Sequence, residues 1–161
     1  MDFKNFFQWQ PDANGRPLVR VNGGKFRNVG IEAEYGRRLS DRLKWNVSGS
    51  YSNPRQKEMN ETYWKQAAPK LQFTTGIRYE NPTWEAGTSF SFVTKRLRNR
   101  DGGLNPNIAL WNAYVGYHFN KDATLRLDAR NLLDRHNVIT NGDYEYWGDP
   151  FTYELSYTQK F

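Results

Sequence analysis

Apolar and polar residues alternate along most of the chain with a period of two. At the C-terminus, Phe151, Tyr153, Leu155, Tyr157 and Phe161 fall on one parity. Thr152, Glu154, Ser156, Thr158 and Lys160 fall on the other. A strand turns alternate side chains to opposite faces, so one face is aromatic and the other polar. The same alternation sets Leu43, Trp45, Val47 and Tyr51 against Lys44, Asn46, Ser48 and Ser50. It also sets Leu71, Phe73, Thr75, Ile77 and Tyr79 against Lys70, Gln72, Thr74 and Arg78. The pattern predicts eight strands, over about 2–10, 18–37, 43–53, 69–80, 84–96, 108–119, 124–133 and 150–161. Gly23 and Gly24 predict a bulge or bend inside the long second strand.

The connections alternate between long and short. Residues 11–17, 54–68, 97–107 and 134–149 are long loops, while 39–42, 81–83 and 120–123 are tight turns. Outer-membrane barrels show this asymmetry, with short periplasmic turns and longer external loops. The polar parity is also too charged to be a core, since it holds Glu32, Glu34, Lys44, Arg78, Glu85, Arg126, Asp128, Arg130 and Glu154. A soluble barrel would need an apolar interior parity. The expected fold is therefore all-β: an eight-stranded antiparallel up-and-down outer-membrane-type β-barrel, formed by residues 1–161 as one domain. Its aromatic parity would face lipid. A soluble β-barrel or sandwich binding protein is the alternative. Trp45, Tyr79, Trp84, Tyr117, Phe119 and Phe161 sit near the short turns, and Trp9, Tyr51, Trp64, Tyr146 and Trp147 near the long loops. That distribution suits two interfacial girdles, although aromatic β-propensity alone also enriches strands in such residues. Closure as a monomer requires the segment Phe3–Trp9 to pair with the last strand; self-association into a larger barrel is the other route.

Composition narrows the chemistry. The chain has no cysteine and two histidines, His118 and His136, which exclude a disulfide framework and disfavour a histidine metal centre. No apolar run is long enough for a transmembrane helix, which leaves membrane strands open. Residues 1–5 lack the basic start and apolar core of a secretory signal. The net charge of +6 suits acidic partners. For a barrel these are membrane lipid and lipopolysaccharide; no nucleic-acid partner is expected.

Three groups of residues carry candidate chemistry. Glu32, Glu34, Lys44 and Arg78, and a second set Arg126, Asp128, Arg130 and Glu154, are expected to pair as an ionic network filling a narrow lumen. Lys95, Arg96, Arg98 and Arg100 form the densest basic run, an anion-binding loop or a solvated one. The Tyr- and Trp-rich segment 141–147 offers contact area for a ligand or a cap for the barrel mouth. No Ser/His/Asp grouping is present at informative spacing, so no catalytic residue, cofactor or metal is assigned. A small outer-membrane lipid-modifying enzyme is the corresponding alternative.

Several segments resemble one family. The stretch Val21-Asn-Gly-Gly-Lys-Phe-Arg-Asn-Val-Gly-Ile-Glu-Ala-Glu-Tyr35 resembles the "N-x-G-K…G-x-E" segment of TonB-dependent outer-membrane receptors. Ala68-Pro-Lys70 is similar to the proline-containing start of a strand that follows the next hairpin there. Leu127-Asp-Ala-Arg-Asn-Leu-Leu-Asp-Arg135 resembles that family's "N-L-[FL]-[DN]-[KR]" segment. The resemblance implies the C-terminal third of a barrel of about 22 strands whose lumen holds a plug domain. On this reading the chain carries neither plug nor coupling box, and an intact transport mechanism is not expected of it. Its role would be structural, or ligand-binding through the long loops, in the outer membrane. The resemblance further implies that Tyr153, Leu155, Tyr157 and Phe161 form a signal read by the barrel-assembly machinery, with Gln159 as a departure. A monomer is expected.

Overall fold

The computed structural model describes residues 2–10, 19–94, 96–97, 103–139 and 146–160. Strands dominate it: β1 (Asp2–Gln10), β2 (Val19–Arg27), β3 (Gly30–Arg38), β4 (Leu43–Ser52), β5 (Arg55–Lys57), β6 (Lys65–Gln66) and β7 (Leu71–Glu80). After these come β8 (Trp84–Val93), β9 (Arg96–Leu97), β10 (Leu104–Asn105), β11 (Ile108–His118), β12 (Ala123–Arg130) and β13 (Thr152–Gln159). Seven of them form one antiparallel sheet in the order β13-β12-β11-β8-β7-β4-β3. A second sheet, β1-β2-β5-β6, continues from it, and β9 pairs with β10.

The long second strand expected over 18–37 is two strands. β2 ends at Arg27, and β3 begins at Gly30. The next long strand breaks at the same level, between β4 and β5. Pro54 lies in that second break and has no N–H to donate to a ladder. The Asn53 amide instead donates to the Val29 carbonyl at 2.8 Å. At Gly30 a Cβ would lie 2.5 Å from the Tyr51 carbonyl oxygen, so this close approach needs glycine. The bend expected at Gly23–Gly24 coincides with register shifts in the facing strand, between Lys4 and Phe6 and between Phe6 and Phe7.

The seam expected between Phe3–Trp9 and the last strand is not formed. Asp2 pairs with Arg27, so the antiparallel register carries β1 up alongside β2 and away from the large sheet. Among the described residues β13 pairs only with β12, and β3 only with β4 within the large sheet. The sheet is therefore open at both edges rather than closed by β1.

All three short turns close in one way. The Ser40 hydroxyl accepts from the amides of Arg42 and Leu43, at 3.3 and 3.1 Å. Asn81 Oδ1 accepts from Thr83 and Trp84, at 2.8 and 2.7 Å. Asn120 Oδ1 accepts from Asp122 and Ala123, at 2.8 and 2.9 Å. In each case a side-chain oxygen satisfies the amides two and three residues on, which is why Ser and Asn stand there.

No apolar core forms on the scale of the sheet: among the described residues the buried hydrophobic side chains are Ala109, Ala123 and Val138. The aromatic and aliphatic parity is exposed instead, with Ile31 at 71 %, Tyr153 at 74 % and Leu155 at 65 %. Edge-to-face pairs run along the short-turn end of this face, from Trp84–Tyr117 through Tyr117–Phe119 to Phe119–Tyr157.

Candidate functional site on the polar face

The opposite face carries the charges, and the strand register arranges them in rows. One row crosses the large sheet as Arg38, Lys44, Arg78, Gly87, Tyr114, Asp128 and Glu154. Cations occupy its β3 end and carboxylates its β13 end. The adjacent row runs Glu80, Glu85, Gly116, Arg126 and Ser156.

Arg126 is the hub. Its Nε and Nη2 each donate to Asp128 at 2.8 Å, a bidentate pair, and Nη1 donates to Glu85 at 3.1 Å. The guanidinium also lies 3.9 Å over the Tyr114 ring. Such an arrangement uses the planar fork and the cation–π face of arginine together. Two glycines make it possible. A Cβ at Gly116 would fall 2.7 Å from Glu85 Cγ, and one at Gly87 would fall 2.5 Å from Tyr114 Cε1. Glu85 and Tyr114 thus lie flat across neighbouring strands because those strands present no side chain there. Arg78 forms an ion pair with Glu80 at 3.1 Å and a longer one with Glu85 at 3.9 Å. Arg130 meets Glu154 at 3.4 Å, an exposed pair worth little by itself.

Of the residues expected to pair, the structure brings Arg126 to Asp128 and Arg130 to Glu154. It does not bring together Glu32, Glu34, Lys44 and Arg78. Lys44 and Arg78 stand side by side as like charges, while Glu32 pairs across to Ser50 and Glu34 to Ser48, farther toward the long loops. Glu32 and Glu34 line an open groove of about 510 Å³ with Ser48, Ser50, Gln72, Thr74 and Ser91. Glu85 was absent from the expected set and bridges the two arginines. Only the register and the bare Gly116 floor reveal this.

The basic run divides. Lys95, Arg98 and Arg100 lie outside the described residues. Arg96 donates to the carbonyls of Val138 and of Ile139, the latter at 2.9 Å. Burial pushes its guanidinium below the usual value. Arg96 is therefore a tether between β9 and the long loop before β13, and not a free anion ligand. Phe161 also lies outside the described residues, while Tyr153, Leu155 and Tyr157 project from the exposed edge strand.

The loop after β12 hangs on two buried asparagines. Asn131, 2 % exposed, has φ of 51°. Its Nδ2 donates to the carbonyls of Arg135 and Asp149 at 3.0 and 2.9 Å, and its Oδ1 accepts from Arg135 N. Asn137 bonds both backbone groups of Ala109, as a strand neighbour would. His118 Nδ1 bonds the Thr124 hydroxyl at 2.9 Å, and His136 stacks edge-on with Trp147.

The aromatic face repeats one device. Trp45 Nε1 donates to the Thr75 hydroxyl at 2.9 Å, and that hydroxyl donates to the Asn46 carbonyl at 3.0 Å. Trp111 Nε1 donates to the Thr88 hydroxyl at 2.6 Å, which in turn donates to the Asn112 carbonyl at 2.9 Å. Both indole N–H groups are satisfied without water.

The described strands thus form a meandering antiparallel sheet with one charged face and one exposed aromatic face. The family described as "TonB dependent receptor-like, beta-barrel" matches residues 1–132. The chain belongs to this family of outer-membrane receptors. Solved structures agree in fold. The unliganded ferric citrate transporter FecA superposes with a TM-score of 0.75 at 23 % identity over 97 % of this chain and 27 % of its own. The copper transporter OprC gives 0.74 at 17 % identity over 99 % and 27 %. The closed form of the ferric-catecholate import receptor Fiu from E. coli K12 gives 0.74 at 17 % identity over 99 % and 24 %. The chain thus spans about a quarter of the length of these receptors. No curated protein matches it by sequence.

Proposed function

We propose that this chain is part of the wall of an outer-membrane β-barrel, with its aromatic face against lipid and its charged face lining the interior. The observation that carries this is the exposed apolar face on which the Trp45 and Trp111 N–H groups find partners within the sheet. In water such a face is an aggregation liability, whereas in lipid an unpaired polar group is costly and an apolar side chain is at home. Lipid also does not tolerate unpaired strand edges, so further strands complete the wall at β3 and β13. Until the seam at β13 forms, Tyr153, Leu155 and Tyr157 are the outward surface of an edge strand, accessible to the barrel-assembly machinery. The long loops lie outside, where ligand and lipopolysaccharide are met. The role of these residues is structural support and ligand contact, with no catalytic step assigned.

The test is refolding. The chain in detergent should give β-structure whose electrophoretic mobility changes on heating. Recovery as a monodisperse monomer in buffer without detergent would overturn the lipid-facing assignment.

A further inference from the structure

We infer that the cationic end of the long charge row is a binding site for a multiply charged oxyanion, a phosphate or polycarboxylate group. Arg38, Lys44 and Arg78 occupy directly paired positions on three adjacent strands and share one face. Like charges opposed in this way repel, and a sheet gains nothing from them unless an anion lies among them. The local carboxylates do not supply it. Among the described residues Lys44 has no ion pair, and the Arg38 Nη2 hydrogen bond goes to the Asp41 carbonyl at 3.2 Å. Arg78 alone is paired, with Glu80 at 3.1 Å and with Glu85 at 3.9 Å.

The space is present as well. Arg38, Asp41, Arg42, Lys44, Arg78 and Glu80 line a cavity of about 280 Å³, several times the roughly 30 Å³ occupied by one water. Gly36, one row further in, leaves nothing within 4 Å of where a Cβ would stand, so the approach is open. Four cationic and two anionic side chains line the cavity, an excess of two positive charges that a dianion balances. Arginine forks bind such an oxyanion through paired N–H groups, and the lysine adds a point charge. The occupant is a dissolved anion, since the row lies on the charged face, away from the exposed aromatic one. Its placement in a barrel interior rests on the reading above, but its binding does not.

Inorganic pyrophosphate, titrated calorimetrically into the chain folded in neutral maltoside micelles, tests the site. Saturable binding that weakens with added salt is expected. Arg38→Gln and Lys44→Gln should each weaken it about tenfold, the scale of a charge-assisted hydrogen bond. Lys44→Arg should retain binding, and Arg130→Gln, at the far end of the sheet, should not change it. Each variant is first checked for wild-type β-structure, and where one of the two glutamine variants misfolds, the other decides. No saturable binding by the wild type, undiminished binding by the glutamine variants, or equal loss in Arg130→Gln would overturn the proposal. So would displacement of pyrophosphate by phosphatidylglycerol in the micelles, which would make the ligand a lipid headgroup. Failure of refolding in detergent would strike at the lipid-facing reading, whereas failure of binding by folded protein strikes at this site alone.

Discussion

Thr75 and Thr88 are hydroxyl-bearing residues in otherwise apolar rows of the aromatic face. In the structure each hydroxyl accepts an indole N–H from the next strand and donates to a carbonyl. Thr88→Val keeps the shape but leaves the Trp111 N–H without an acceptor. It should cost about 1–3 kcal/mol, the penalty of an unsatisfied donor, read as a lowered urea midpoint in micelles. Thr88→Ser should restore most of it. Asn131 is a second case where a single residue carries a loop. Asn131→Ala loses the side-chain bonds to Arg135 and Asp149 and strains the φ of 51°. A loss of about 2–4 kcal/mol is expected from those two sources, measured by the same denaturation. The family-like segment around Asn131 was visible in sequence, but its reason was not. The bonds reach Asp149, eighteen residues away, and periodicity contains no information about such closures.

At the scale of elements, parity was enough to place the long strands, because alternation persists wherever one face is aromatic and the other polar. The short turns were equally visible, since Ser40, Asn81 and Asn120 are turn formers for a chemical reason. The break at 28–29 was hidden because parity runs on across it. The partner of β1 was hidden too: alternation tells which face a residue takes but not which strand lies beside it. The same limit explains the candidate site. Charged positions were legible, yet their pairing depends on register and on glycine floors. One loop gives a pH test. In the segment linking β5 to β6, Lys65 pairs with Glu61 and lies 3.7 Å from Glu58. Burial acts to raise the Glu61 carboxyl, but the hydrogen bonds from Lys65 and the Glu58 backbone outweigh it and hold it below the usual carboxylate range. The hydrogen bond to Glu61 chiefly holds the Lys65 ammonium above its usual value. A lowered acid contributes stability above its unfolded value and loses it as pH falls; a raised base contributes below its unfolded value and loses it as pH rises. Amide exchange in 58–66 should therefore be slowest at neutral pH relative to the intrinsic rate. Protection should fall in acid, through the Glu61 titration, and again in strong alkali, through that of Lys65. Lys65→Met should remove the alkaline limb and weaken the acid one, which the Glu58 amide still supports.

For the whole molecule, the decisive question is which solvent meets each face, and neighbouring residues answer it. Leu155→Arg puts a charge on the aromatic face, and Ser156→Arg puts one on the charged face. In bilayers the first should cost about 2–4 kcal/mol near the midplane and the second little. Equal, small effects of the two on vesicle unfolding would refute the lipid-facing assignment. The order of the large sheet has a further consequence. Every neighbour in it is also the neighbour along the chain among its own strands, and each hairpin is locked by one oxygen in its own turn. A hairpin is therefore a detachable module: its duplication or loss alters the girth of a cylinder without rewiring any other pairing. Barrels of different circumference can arise from one another by copying pairs of strands, and this sheet has the layout such growth would leave behind.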